Sequence, residues 1–335
     1  MSETLSKPQL LDRLLAAVEA SGWQVLITSR SHPFLLRLFK REAPTVLNVR
    51  IYVWNCTHGG NHRPTDEFRV QLTGTVPIAQ ARETTLLLGW HEGFSVFVGF
   101  DIRKHTGQDS ASPSIQVKEA SLLNAHNHAF STYERANGET AVCFRPEFLV
   151  EYAANLAKLH GFTAADQEAV KMLNAVDEVA EQEIETAITN HERREVLANI
   201  KRKYREHDFR RRVLSAYGSA CAFCGLQLKL VEAAHILPVA ALSSTDETIN
   251  GIALCALHHK AYDQNLLNFD ETYRIEISAA TVADLNRLNL AGGLATFQRN
   301  LKNAIMLPAD KRDYPAKQYD CREPQASPMA GVSGI

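Results

Sequence analysis

Nowhere does the chain hold the roughly 18 consecutive apolar residues that a membrane-spanning helix requires, so no partner membrane is expected. It also lacks an excess of either charge. Its 36 Lys and Arg stand against 38 Asp and Glu, a formal charge of −2, so affinity for a polyanion would have to come from a local patch. Cysteine is scarce: Cys56, Cys143, Cys221, Cys224, Cys255 and Cys321 are the full set. In a reducing compartment these are expected to be free or metal-bound rather than paired. Internal repeats and low-complexity tracts are missing, which leaves no reason to read a solenoid or a disordered array. The opening MSETLSKPQLLDRLLAAVEA has no signal-peptide core, and a cytoplasmic protein is the expectation.

What is present is the composition of a globular protein, 45% hydrophobic over 335 residues, enough for two ordinary domains. Leu10, Leu11, Leu14, Leu15 and Val18 recur at helical spacing and predict an amphipathic helix over 7–21. Strand-like runs follow at 23–29, 34–40, 45–55, 68–74, 94–103, 128–135 and 139–146, then a helix over about 147–160. Residues 1–163 therefore read as a mixed α/β domain. Residues 164–200, rich in Ala, Glu and Gln with neither Gly nor Pro, read as a helical connector and, by charge pattern, a solvated one.

The charge then reverses. The run 201–212 holds seven basic residues, Lys201, Arg202, Lys203, Arg205, Arg210, Arg211 and Arg212, against two acidic ones. Either it is a solvated helix face or it neutralises backbone phosphates, and Lys201, Arg202, Lys203, Arg210, Arg211 and Arg212 are the candidates for DNA contact. Two strands in LLNFD and YRIEIS and a short helix near 281–289 complete a domain over 201–290. Residues 291–335 read as a C-terminal tail, of which the last 25 or so, with several Pro, Ser and Gly, look poorly ordered.

The chemistry lies at 219–270. Cys221-x-x-Cys224 and, further on, Cys255-x-x-His258 are two knuckles of the form that closes a tetrahedral Cys₃His zinc site. The alternative is that Cys255 is an ordinary buried cysteine. Between the knuckles lie Val231-Glu232-Ala233-Ala234-His235-Ile236-Leu237-Pro238 and Asn250-Gly251. After them come His259 and Asp263, four residues apart, which share one face of a helix and suit a hard divalent cation such as Mg²⁺ beside a phosphate. Asn-Gly is also a turn dipeptide in its own right.

In that order, CxxC, His-Ile-x-Pro, Asn-Gly and a ligand-bearing helix, residues 219–272 resemble the HNH nuclease family with its ββα-metal fold. The resemblance implies an α+β protein: an N-terminal recognition domain, a connector, and a C-terminal HNH domain that hydrolyses DNA phosphodiester bonds by a one-metal mechanism. It implies His235 as general base, Asn250 as the brace of the loop that orients it, and His259 and Asp263 as ligands of the catalytic Mg²⁺ or similar cation. The zinc held by Cys221, Cys224, Cys255 and His258 would be structural. One departure is specific. Many members carry Asp or His immediately before the base, where this chain has Ala234, so a ligand is missing that water, phosphate oxygens or Glu232 would have to replace.

The N-terminal segments around Arg63–Gln71, Gly99–His105, Ser112–Val117 and Phe144-Arg145-Pro146 are similar to regions that precede HNH domains in restriction endonucleases, which implies a module that recognises DNA or senses its modification. Arg63, Arg69, Arg103, Lys104 and Arg145 are candidate DNA contacts, and Trp54, Trp90 and Phe94 candidate walls for a flipped base. Cys56, His58 and His62 lack a clear fourth ligand. Three functions stay open: a restriction endonuclease acting on double-stranded DNA, modified or not; an HNH effector of another anti-phage system whose N-terminal half senses a ligand or partner; and a zinc-stapled DNA-binding module without catalysis. Oligomeric state is open as well, with a homodimer the natural way for one site per chain to cut both strands.

Overall fold

The computed structural model describes residues 4–40, 43–60, 64–106, 113–241 and 243–316. Arg63, His62, Ser112 and Cys321 therefore lie outside the described residues. The chain forms two units, Met1–Tyr204 and Arg205–Ile335.

The first unit opens with α1 (Lys7–Ala20), where Gln9 Oε1 accepts from the Ser6 backbone N–H at 2.9 Å and Pro8 sits in the first turn. Its apolar face is the expected one: Leu10, Leu11, Leu14, Ala17 and Val18 are buried. The strands β1 (Gln24–Ser29), β2 (Phe34–Lys40), β3 (Ala43–His58), β4 (Glu67–Gln71), β5 (Thr84–His91), β6 (Val96–Phe100), β7 (Ser114–Lys118), β8 (Phe130–Glu134) and β9 (Thr140–Phe144) form one sheet. Its main path runs β1-β2-β3-β5-β6-β9-β8, with β4 and β7 branching from β3. The 16-residue β3 is the spine. It pairs antiparallel with β2, parallel with β5 over 49–55, and through Cys56, Thr57 and His58 with β4.

Both faces of this sheet are covered, and the period-two pleat divides the core. Val49, Ile51 and Val53 of β3, with Leu86, Leu88 and Trp90 of β5, face one cluster; Tyr52, Trp54, Cys56 and Leu87 face the other. The first cluster is roofed by α1, α3 (Leu149–Ala154), α4 (Leu156–His160), α5 (Gln167–Asn174), α6 (Glu181–Ala187) and the start of α7 (His191–Ala216). The second is covered by α2 (Glu119–His128) through Leu122 and Ala125. Gly99 is required by one close approach: a Cβ there would lie 2.0 Å from the Tyr152 hydroxyl.

Two expectations need correction in this unit. The helix over 147–160 is interrupted at Asn155, and the connector is not solvated. Ala169, Met172, Leu173, Val176, Ile184, Ile188, Val196 and Leu197 are buried in the first cluster. Its acidic residues occupy only the outer faces of short helices whose inner faces are apolar. The strands β5 and β7 and the helix α2 add to the elements read from sequence.

A buried charge network ties the far end of the sheet. Glu139, fully buried, takes Arg135 on Oε2 and His105 Nε2 at 2.9 Å on Oε1, and accepts the Asp101 N–H at 3.2 Å.

The second unit is built on a hairpin and helix. β10 (Val231–His235) pairs antiparallel with β11 (Gly251–Cys255), in a register that sets His235 opposite Gly251 and Val231 opposite Cys255. α8 (Ala256–Asp263) follows without a gap, then β12 (Leu267–Phe269), β13 (Ile275–Ile277), α9 (Ala279–Arg287) and α10 (Leu294–Arg299). Its core joins Phe209, Val213 and Tyr217 of α7 to Phe223, Ile252, Leu254 and Ile305. The tail expected from residue 291 onward is, as far as residue 316, part of this unit. Lys302 donates its N–H to Phe223 O at 2.9 Å and Met306 to Ala222 O at 2.8 Å, and Ile305 is buried. These backbone bonds stitch the segment to the CxxC knuckle, which its composition does not announce.

Removing the charge of Glu139 leaves the mostly buried Arg135 without its carboxylate partner. Glu139→Gln is expected to destabilise the first unit by about 3 kcal/mol. Urea unfolding followed by tryptophan fluorescence reads this unit alone, because Trp23, Trp54 and Trp90 all lie in it. Burial opposes ionisation of Glu139, but His105 and Arg135 outweigh it and hold the carboxyl below the usual range. Its contribution is thus present above the unfolded-state carboxylate pKa and lost as pH falls through the depressed folded value, so parent and variant converge in acid. A difference under about 1 kcal/mol at neutral pH would show that the network adds little.

Candidate active site and metal centre

Cys221, Cys224, Cys255 and His258 come together: one ligand atom from each lies within 4.8 Å of all the others. His258 Nδ1 is 3.3 Å from Cys221 Sγ and 3.3 Å from Cys255 Sγ. The local folding explains the gathering. Gly225, in the left-handed region at φ 81°, turns the chain back after the CxxC, and its N–H bonds Cys221 O at 2.7 Å. Cys255 ends β11 and caps α8, so His258 lies one turn along the helix from it. Burial pushes the Cys224 thiol up to about 12 and also raises Cys255. Burial opposes ionisation of Cys221 as well, but hydrogen bonds from His258 and from backbone N–H groups bring that thiol down to about 6. Zn–S bonds of about 2.3 Å place tetrahedral ligand atoms about 3.8 Å apart. Three sulfurs and an imidazole gathered this closely fit zinc, and the fourth ligand expected at His258 is in position.

His235 ends β10 and is partly exposed. Phe209 lies flat on its ring, centroids 3.8 Å apart and planes 9° from parallel. His235 Nε2 is 3.0 Å from Asp246 Oδ1. Burial opposes ionisation of Asp246, and the bonds to His235 and Arg205 outweigh it, holding the carboxyl below the usual range. Asn250 is fully buried and spans the intervening loop. Its Oδ1 accepts the Leu237 N–H at 2.8 Å, and its Nδ2 donates to Leu237 O at 3.2 Å, Ser244 Oγ at 3.2 Å and Thr245 O at 2.8 Å. Gly251 lets α7 approach, since a Cβ there would meet Val213 Cγ2 at 2.2 Å.

His259, one residue after His258, turns to a different side of α8. Its Nδ1 is 2.8 Å from Glu232 Oε2 on β10, and its Nε2 is 3.8 Å from Asp263 Oδ1. The two carboxylates thus take different nitrogens of one ring. Asp263 is the partner on the Nε2 side, and Glu232 holds the ring from behind. Glu232, two residues before Ala234 on the same strand, reaches the pair, but it does so through Nδ1.

The basic run divides. Lys201, expected to face DNA, is buried in the first unit and donates to Val176 O at 2.9 Å and Asp177 O at 3.1 Å. Arg212 is anchored to Asp208 Oδ2 at 2.8 Å, Thr248 Oγ1 at 2.9 Å and Asp246 O at 2.6 Å. Arg202, Arg210 and Arg211 are exposed and Lys203 is half-buried. In the first unit Trp54 and Trp90 lie in the two opposite core clusters, so the sheet separates them and they form no common pocket. Arg69 pairs with Glu67, Arg103 with Asp101 and Arg145 with Glu147, each at 2.8 Å, and Lys104 donates to Gly138 O at 3.0 Å. Cys56 is buried in apolar surroundings, and His58 bonds Pro64 O at 3.1 Å.

Sequence reasoning passed over Asp246, Arg205 and Phe209. Phe209, Val213 and Tyr217 stand at i, i+4 and i+8 within the basic helix, a spacing that marks an inward face. Nothing in the residue pattern separates Asp246 from its neighbour Glu247.

Two family models match the chain. One, described as HNH endonuclease, matches residues 221–270, from the first knuckle cysteine to the end of β12. The other, described as Methylase-associated X1, matches residues 47–153, the span from β3 to α3. No curated protein matches the chain. The ββα hairpin and helix, the Cys₃His cluster and these matches agree: the chain carries an HNH endonuclease domain at 221–270, behind an N-terminal Methylase-associated X1 domain.

Proposed function

We propose that the second unit hydrolyses phosphodiester bonds of double-stranded DNA with His235 as general base, and that the first unit recognises the DNA or its modification state within a restriction system. The observation that carries the catalytic part is the pair of oriented histidines on one ββα element, His235 bound to Asp246 and His259 bound to Glu232. A zinc staple used only for binding DNA requires neither pair. The restriction role is supported by the Methylase-associated X1 match.

An imidazole has an unperturbed pKa of about 6.5, so near neutral pH it can take a proton from an attacking water. Phe209 and Asp246 restrict the ring of His235 to one orientation, and Asn250 holds the loop between them. Glu232 accepts the Nδ1–H of His259, which turns Nε2 toward Asp263. His259 and Asp263 would hold a divalent cation, Mg²⁺ or similar, which when bound would supply charge stabilisation to the phosphate and the departing 3′ oxygen. Arg202, Lys203, Arg210 and Arg211 are the members of the basic run proposed to neutralise backbone phosphates. A single site per chain makes a homodimer the expected form for cutting both strands.

His235→Ala is expected to lower single-turnover cleavage of duplex DNA by about 10²–10⁴-fold while DNA affinity holds. Cleavage by His235→Ala at the parent rate would refute the assignment of the base.

The Cys₃His cluster is proposed to hold one structural Zn²⁺ per chain. Stripping it with a chelator is expected to melt the second unit, read as lost far-UV dichroism, while the tryptophan fluorescence of the first unit stays unchanged. Metal-free protein with full dichroism and unaltered melting would show the staple to be dispensable.

A further inference from the structure

We infer that Asp246 is a positioning residue for His235, fixing its tautomer so that Nδ1 is the nitrogen that takes the proton. The inference rests on His235 being the base and adds which atom acts and what makes it act.

Asp246 is held at three atoms. Its Oδ1 takes His235 Nε2 at 3.0 Å. Its Oδ2 takes Arg205 Nε at 2.8 Å and Nη2 at 2.5 Å. Its backbone O takes Arg212 Nη2 at 2.6 Å, and the same guanidinium reaches Thr248 Oγ1 at 2.9 Å. On the other flank, Thr245 O is held by Asn250 at 2.8 Å. The carboxylate therefore has almost no freedom to leave the ring.

An ionised carboxylate only accepts hydrogen bonds. The ring nitrogen facing Asp246 must then carry the hydrogen, and in the neutral imidazole the lone pair falls on Nδ1. Among the described residues no hydrogen bond holds Nδ1. Asp246 Oδ1 stands at the Nε2 edge of the ring and Phe209 lies against its face. α7 supplies Arg205, Asp208 and Arg212, of which Asp208 is neutralised by Arg211 and Arg212. The loop supplies Asp246, β11 offers Gly251, and α8 offers the Tyr262 hydroxyl, which donates to Ile236 O at 3.4 Å.

Part of the basic run thus has a second use. Arg205 and Arg212 grip the loop that carries Asp246, and Phe209 between them stacks on His235.

The test uses the full chain. In ¹⁵N spectra of the parent protein, His235 is expected as the Nε2–H tautomer; the Nδ1–H tautomer would overturn the inference. Asp246→Asn is expected to lower the single-turnover rate about 10²-fold, to leave DNA affinity within about twofold, and to mix the two His235 tautomers. Asp246→Glu, which keeps the carboxylate, is expected to recover part of the rate. Should Asp246→Asn cleave like the parent while His235→Ala is inactive, the positioning role falls and the base assignment stands. Should His235→Ala cleave like the parent, the base assignment itself is what fails.

Discussion

The second unit depends on one short-range constraint, the convergence of Cys221, Cys224, Cys255 and His258 to within 4.8 Å. It ties the knuckle to the end of β11 and the first turn of α8, and through the bonds of Lys302 and Met306 to Phe223 and Ala222 it takes in the C-terminal segment as well. It also decides where His259 points. Successive residues on a helix are turned by about 100°, so committing His258 to the cluster sends His259 outward, toward Glu232 and Asp263. The proposed zinc ligand His258 and the proposed catalytic ligand His259 are adjacent residues of one helix.

The other histidine is placed by a different device. β10 ends at His235, opposite Gly251, and the absence of a side chain at Gly251 lets Phe209 and Val213 of α7 come against the hairpin. Phe209 then lies on the imidazole, and Arg205 and Arg212 hold the loop carrying Asp246. A helix that reads as a phosphate-binding run is therefore partly internal scaffolding. Each histidine has a carboxylate within hydrogen-bond distance of one nitrogen, although the carboxylates come from unrelated elements, a loop for His235 and a strand for His259.

Much of this was legible in the sequence, for physical reasons. Cys-x-x-Cys, Cys-x-x-His and His-x-x-x-Asp are local patterns, and turn and helix geometry converts them directly into proximity. Strands with one alternating face, and α1 with its leucines at helical spacing, declare themselves in the same way. β5 was hidden because Leu86, Leu87 and Leu88 are buried on both faces of the sheet and show no alternation. The stretch 164–200 was read as solvated because its charges dilute an apolar stripe that packs into the core. Asp246 was illegible because its role depends on how a loop closes, and that is set by Asn250, Arg205 and Arg212 together. The flipped-base reading of Trp54 and Trp90 failed for a similar reason: residues close to one another across neighbouring strands can still face opposite sides of the sheet.

The proposed reaction is hydrolysis of DNA through an activated water, expelling a 3′ oxygen. It is tested most directly by the ends it leaves. Duplex DNA cut in ¹⁸O-labelled water with Mg²⁺ or Mn²⁺ is predicted to give 3′-hydroxyl ends and 5′-phosphates carrying one labelled oxygen. Ends with a 3′-phosphate, unlabelled 5′-phosphates, or no cleavage with any divalent cation would contradict the account.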